Sequence, residues 1–234
     1  CMIRFLLFVQ ATVLFMFCQP TKIAEAGISS PAILPGAYQT EEYLSILQGK
    51  KIGLCVNHTS MIEDTHLVDS LLSLGQNVTK IFTPEHGYKG TADAGEKVED
   101  DEVGTLEIIS LYGQNKKPTP QQLAGIELMI FDIQDVGTRF YTYISTMHYV
   151  MEACAENNIP LLILDRPNPN DFVDGPVLDT AFRSFVGMHK IPILHGLTVG
   201  ELAQMINGQS WLKDSLACAL NIIPVRNWQH GDPY

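Results

Sequence analysis

From Leu47 onward the chain alternates short runs of consecutive apolar residues with stretches in which apolar positions recur every three or four residues. Short apolar runs bounded by polar or turn-forming residues read as buried strands, and the wider spacing reads as a helix with one buried face. Lys51 to Asn57 thus predicts a first strand. Thr65 to Leu74 predicts a helix, with Leu67, Val68, Leu71, Leu72 and Leu74 near helical spacing and Gly75 as a stop. Further strands are expected at Val78 to Phe82, Glu107 to Leu111, Glu127 to Asp132 and Pro160 to Leu164, with helices at Gln121 to Ala124 and Tyr141 to Asn157. Runs that are apolar throughout suit parallel strands covered on both faces. Their alternation with helices demands crossover connections, so the expected fold class is α/β, a doubly wound, mostly parallel, Rossmann-like sheet.

Beyond Pro176 the pattern loosens. An extended piece is expected at Ile191 to Leu194, then a helix from Val199 to Asn207 with Thr198 as its cap and Glu201 as capping-box partner. The chain is expected to stop at the truncated start of a second domain. At the other end, Arg4, the apolar run from Phe5 to Phe17 and the small-x-small triplet Ala24-Glu25-Ala26 read as a signal peptide over residues 1–26. The run is shorter than the roughly 20 residues that a membrane-spanning helix needs. Residues 27–46 are expected to be a lead-in and 47–234 the Rossmann-like domain. The expected location is periplasmic or secreted. A membrane tether is expected only if Cys18 is lipidated, and the bulky Phe17 before it argues against that. After cleavage Cys55, Cys154 and Cys218 remain, an odd number at long spacings that suits buried thiols better than disulfides or zinc.

Composition narrows the chemistry. Of 234 residues, 46% are hydrophobic and 18% charged, enough for a well-packed domain, and the net charge of -11 offers no basic face for phosphates. Nucleic acid is therefore excluded as an expected partner. No G-x-G-x-x-G or G-x-x-x-x-G-K-[ST] follows any strand, so no nucleotide cofactor is expected, and no G-x-S-x-G elbow supports a serine hydrolase.

Open α/β sheets bind ligands at the carboxyl ends of their strands. Four of the expected strands run into polar loops: Asn57-His58-Thr59-Ser60, Thr83-Pro84-Glu85-His86-Gly87, Asp132-Ile133-Gln134-Asp135-Val136-Gly137-Thr138-Arg139 and Asp165-Arg166-Pro167-Asn168-Pro169. Such loops on one rim exceed what turn formation needs. His58, Glu85, His86, Asp132, Asp135, Asp165 and His195 could converge as nitrogen and oxygen ligands, which keeps a metal-dependent hydrolase as an alternative, but none has H-x-x-x-H or H-E-x-x-H spacing and no metal is expected. Carboxylate chemistry remains, in which a positioned acid protonates a leaving oxygen. Glu85, just past an apolar strand, fits that acid, because partial desolvation favours a protonated carboxyl.

Several segments carry a family resemblance: Pro84-Glu85-His86-Gly87, Ala92-Asp93-Ala94-Gly95-Glu96, Ser110-Leu111-Tyr112-Gly113 with Lys117-Pro118-Thr119-Pro120, and Phe131 to Tyr143. Downstream follow Leu164-Asp165-Arg166-Pro167-Asn168-Pro169, Gly175 to Asp179, Arg183 to Gly187 and His195 to Leu202. In this order they resemble the NamZ-type exo-β-N-acetylmuramidases, from about Gly53 to Trp228. The resemblance implies a Rossmann-like domain without nucleotide, acting on peptidoglycan-derived muro-sugars to release terminal β-linked N-acetylmuramic acid. It implies Glu85 as the catalytic residue; Glu96, Asp132 and Asp135 are candidates for a second carboxylate, with others expected beyond this chain. Asn57, His86, Arg139, Tyr143, Asp165, Arg166, Asn168 and His195 are the implied substrate-binding residues, and Arg139 or Arg166 could pair with the lactyl carboxylate of muramic acid. The chain departs from the family pattern at Asn57-His58-Thr59-Ser60, where Asn-Gln-Thr-Gly is expected, and at Asn170-Asp171-Phe172, one residue short. The family also continues into a second domain, so a non-catalytic sugar-binding module is a further alternative.

Overall fold

The computed structural model describes residues 31–88, the backbone of 101–103, and residues 106–234. The expected signal peptide and Glu96 lie outside the described residues. From Ala32 to Tyr234 the chain forms one unit. In chain order its elements are α1 (Thr40–Leu47), β1 (Ile52–Val56), the hairpin β2 (Met61–Ile62) and β3 (Thr65–His66), α2 (Leu67–Ser73), β4 (Val78–Thr83), β5 (Asp101–Val103) and β6 (Leu106–Ser110). There follow α3 (Pro120–Leu123), β7 (Leu128–Asp132), α4 (Tyr143–Glu156), β8 (Leu161–Leu164), β9 (Val173–Asp174), β10 (Leu194–His195), α5 (Val199–Gly208) and β11 (Leu220–Ile223).

The main sheet runs β11-β8-β7-β1-β4-β6-β5, with every pairing parallel except that of β5 with β6. From β1 the chain moves outward through β4 to β6, then returns to the other side of β1 and moves outward again through β7, β8 and β11. That reversal is the doubly wound topology, and it opens a crevice between the carboxyl ends of β1 and β7. The strands carry side chains alternately to two cores. Met129 and Phe131 of β7, with Leu161 and Ile163 of β8, join Leu123 of α3, Met147 of α4 and Leu202 of α5. Leu128 and Ile130, with Leu162 and Leu164, face the opposite core with Tyr43 of α1 and Leu71 of α2. Burial on both faces explains why these strands read as unbroken apolar runs.

Three local features differ from the sequence reading. Residues 32–46 are more than a lead-in: the Gly36 N–H donates to the Asp165 carbonyl at 2.7 Å, and buried Tyr43 donates its hydroxyl to the Ala37 carbonyl at 2.8 Å. Thr65 and His66 belong to β3, and the His66 ring caps α2 by accepting from the Val68 N–H at 3.2 Å. β11 lacks the apolar-run signature of the other parallel strands, because Asn221 interrupts its run. The Thr198 and Glu201 capping box does form, with Thr198 Oγ1 accepting from the Glu201 N–H at 3.2 Å and Glu201 Oε2 accepting from the Thr198 N–H at 2.8 Å. Cys55, Cys154 and Cys218 are buried free thiols, and burial suppresses their ionisation.

Candidate active site

The carboxyl ends of β8, β7, β1 and β4 lie side by side, so the four polar loops do share one rim. Three of them consume most of their polar groups on one another. At the crevice between β1 and β7, Asn57 Oδ1 accepts from the Thr59 N–H at 2.9 Å and its hydroxyl at 2.6 Å, the Ser60 hydroxyl donates to the Asp132 carbonyl, and the Gln134 N–H donates to Thr59 Oγ1 at 3.0 Å. Side chains thus fill the place where a glycine-rich loop would leave room for phosphate.

The loop after β8 is fastened in the same way. Arg166 makes a two-pronged pair with Asp132, Nε to Oδ1 at 2.6 Å and Nη2 to Oδ2 at 2.9 Å, and Nη2 also donates to the Met61 carbonyl at 3.1 Å. Both side chains are buried. Asp165 accepts from the Thr198 hydroxyl at 2.7 Å and from the N–H groups of Gly200 at 2.8 Å and Arg166 at 3.0 Å, tying β8 to the start of α5. Burial pushes its carboxyl up to about 6. Asn168 donates to the Leu197 carbonyl at 3.0 Å and accepts from the Asn170 N–H at 2.8 Å, while Arg139 Nη1 donates to the Pro176 and Ile191 carbonyls at 2.8 and 2.7 Å. The structure therefore places Arg139, Asp165, Arg166 and Asn168 as fasteners between loops, and it engages both guanidinium groups with protein acceptors.

The loop after β4 opens instead. The Gly87 N–H donates to the Pro84 carbonyl at 3.1 Å, closing a turn with Glu85 and His86 at its corners, and His86 takes the left-handed conformation at φ 73°. A residue other than glycine in that region costs about 1–2 kcal/mol, which the surrounding structure must offset. Glu85 Oε2 accepts from the Thr142 hydroxyl at 2.8 Å. Tyr112, in the loop after β6, stands beside Glu85, and that neighbour raises the tyrosine pKa. Thr142 occupies the N-cap position of α4 with helical backbone angles and makes no capping bond with its side chain, which leaves the hydroxyl for Glu85. These groups line an open cleft of about 430 Å³, together with Gly113, Lys116, Ser184, Phe185 and Val186.

Beside Glu85 sits a second group of the residues named from sequence. Burial raises the Tyr143 pKa and the charges of Glu85 and Asp135 add to the rise, while the Asn57 amide nitrogen is buried without a hydrogen-bond partner. Asp135 Oδ2 accepts from the Gly137 N–H at 2.8 Å and stands 3.5 Å from His195 Nε2. His195 Nδ1 accepts from the Leu197 N–H at 3.2 Å, which assigns the proton of the neutral ring to Nε2, facing Asp135. Asp135 Oδ1 and His195 Nε2 are both buried without a hydrogen-bond partner. Asn57, Glu85, Asp135, Tyr143 and His195 are thus gathered on one side of the rim. His86 adjoins Glu85 in sequence, and its charge helps to lower the pKa of His58, after burial as the main cause.

Among the described residues, no three His, Cys, Asp or Glu side chains converge to hold a metal ion. Tyr112, Lys116, Thr142 and Phe185 are cleft residues that the sequence reading did not assign. Tyr112 and Lys116 do carry a sequence signal, since they follow the apolar strand that ends at Ser110 and so stand at a fifth strand end of the parallel sheet.

Residues 52–234 match the family model described as exo-β-N-acetylmuramidase NamZ, N-terminal. A peptidoglycan β-N-acetylmuramidase NamZ of Bacillus subtilis (strain 168) is 44% identical over 196 residues, covering 80% of this chain and 46% of that protein. Two solved DUF1343 family proteins from Bacteroides fragilis NCTC 9343 superpose with TM-scores of 0.78 and 0.79, at 44% and 39% identity. Each superposition covers 87% of this chain, and 55% and 53% of the respective structure. The chain thus spans about half the length of the relatives it matches.

Proposed function

The chain belongs to the exo-β-N-acetylmuramidase NamZ family, and on that premise we propose that it carries the acid of a glycosidase that removes terminal β-linked N-acetylmuramic acid from the non-reducing end of peptidoglycan fragments. The observation that carries this reading is the Glu85 carboxyl, presented by a strained turn to an open cleft and oriented by the Thr142 hydroxyl at the start of α4. A carboxyl so held can deliver a proton to the glycosidic oxygen as its bond to the anomeric carbon breaks. The sugar then carries oxocarbenium character, which a carboxylate, the substrate's own acetamido oxygen or water can relieve. The leaving hydroxyl keeps the proton from Glu85, the oxygen of water ends as a hydroxyl on the anomeric carbon, and the proton that water gives up passes to a carboxylate, which restores the acid for the next turnover.

Asp135 is our candidate for the second carboxylate among the described residues, supported by its charge beside Tyr143 and its unpartnered Oδ1. Glu96 is another candidate from sequence. Tyr143 and Asn57 are proposed to contact the sugar beside Glu85. We further propose that the protein is exported, on the strength of the charged, apolar and small-x-small order of its first residues.

The test is incubation of the full-length protein with a chromogenic β-N-acetylmuramide and with peptidoglycan fragments ending in N-acetylmuramic acid at the non-reducing end. Release of free N-acetylmuramic acid from both is the expected result. Release of disaccharides only, or of nothing, would refute the exo-acting reading.

A further inference from the structure

N-acetylmuramic acid differs from N-acetylglucosamine by a lactyl ether that bears a carboxylate, so an enzyme with the proposed activity gains specificity by meeting that charge with a cation. Arg139 and Arg166 were the sequence candidates, but one bonds the Pro176 and Ile191 carbonyls and the other is paired with buried Asp132. The described wall of the Glu85 cleft has a different cation, Lys116.

Lys116 lies between β6 and α3, and its Nζ sits 4.4 Å from the centroid of the Phe185 ring. That ring is itself fixed, stacked on Tyr149 of α4 at 6.1 Å and 10°. The aromatic face attracts the ammonium and holds the half-buried lysine stem in one arrangement, without satisfying the charge as a carboxylate would. Lys116 forms no ion pair among the described residues. The contrast with its neighbour is informative: Lys117 Nζ is clamped between Glu152 at 2.6 Å and Glu156 at 2.7 Å and serves to anchor the loop to α4. In a protein of net charge -11, a localised cation of this kind is what an anionic sugar needs at its binding site.

We propose that Lys116, seated on Phe185, recognises the lactyl carboxylate of the terminal sugar and sets the preference for acidic over neutral N-acetylated sugars. The proposal rests on the muramidase reading above and assigns the part of the cleft that reads the substrate's charge.

The experiment uses the full-length protein as wild type, Lys116→Met and Lys116→Arg, with two readouts. One is kcat/KM on chromogenic β-N-acetylmuramide and β-N-acetylglucosaminide; the other is calorimetric binding of the two free sugars. Lys116→Met should lower the ratio of kcat/KM on the muramide to that on the glucosaminide by about 10- to 100-fold, mainly through KM on the muramide, while Lys116→Arg stays within a few fold of wild type. Equal loss on both substrates, or no loss on the muramide, overturns the proposal. If the wild type turns over neither glycoside, the glycosidase reading fails and the binding arm still decides. Preferential N-acetylmuramic acid binding that Lys116→Met abolishes upholds the assignment, and binding indifferent to Lys116 overturns it.

Discussion

Thr142 Oγ1 donates to Glu85 Oε2 at 2.8 Å across 57 positions of chain, coupling the start of α4 to the turn after β4. Thr142→Val keeps the side-chain shape and removes the donor. A charge-assisted hydrogen bond of this type contributes about 1.5–3 kcal/mol, so kcat should fall on the order of tenfold or more with KM little changed. The lost donor stabilises the ionised carboxylate, so its removal favours the protonated form and should move the Glu85 limb of the pH profile to higher pH. A fall in Tm with an unmoved pH limb would show that Thr142 serves the fold alone.

Asp132 and Arg166 form a buried pair that holds β7, β8 and the β2 hairpin together. Removing one partner strands the other's charge in the interior, so Arg166→Met or Asp132→Asn should each cost about 3–5 kcal/mol in urea unfolding. The double variant should be more stable than the sum of the single losses implies, and strict additivity in the cycle would contradict the pairing.

Gly137 takes φ +76°, and a Cβ there would come 2.1 Å from Asn168 Oδ1. Gly137→Ala should therefore strain the backbone and part the loops after β7 and β8, which Asn168 joins to the segment before α5. A Tm drop of several degrees, reduced when Asn168→Ala is added, is the expected outcome; an unchanged Tm contradicts it.

His189 lies buried against His148, ring nitrogens 3.2 Å apart, and stacks on Trp211 at 5.9 Å. Burial is the main cause that lowers its pKa from 6.5 to about 3, aided by the charges of His148, Arg183 and His195. Because the unfolded chain then binds a proton that the folded one excludes, this stability is full above pH 6.5 and is lost as pH falls toward 3. The loss should amount to roughly 5 kcal/mol at most, and His148, lowered as well, acts in the same direction. His189→Gln should flatten the acid limb of the stability profile between those values; an unchanged limb would place the acid sensitivity elsewhere.

The sheet is legible in sequence because β1, β7 and β8 are buried on both faces and carry scarcely a polar residue, whereas β11 is partly exposed and Asn221 breaks its apolar run. The site was only half readable. Glu85, Asn57, Asp135, Tyr143 and His195 stand at strand ends or in the loops and helix starts beside them, and the fold brings them together. Asp165, Arg166 and Asn168 occupy equally suggestive positions, yet their polar atoms meet partners far away in sequence, and a one-dimensional pattern does not distinguish a group satisfied by a neighbouring loop from one waiting for a ligand. Thr142 illustrates the converse, since at a helix start it reads as a cap and in space it serves Glu85.

The most direct test is the kcat/KM of Glu85→Gln in the full-length protein on a β-N-acetylmuramide. Glutamine keeps an oxygen to accept from Thr142 but has no proton to give at the glycosidic oxygen. With the fold intact by circular dichroism and N-acetylmuramic acid still bound, activity should fall by about 10²–10⁴-fold. Turnover within tenfold of wild type would contradict Glu85 as the acid.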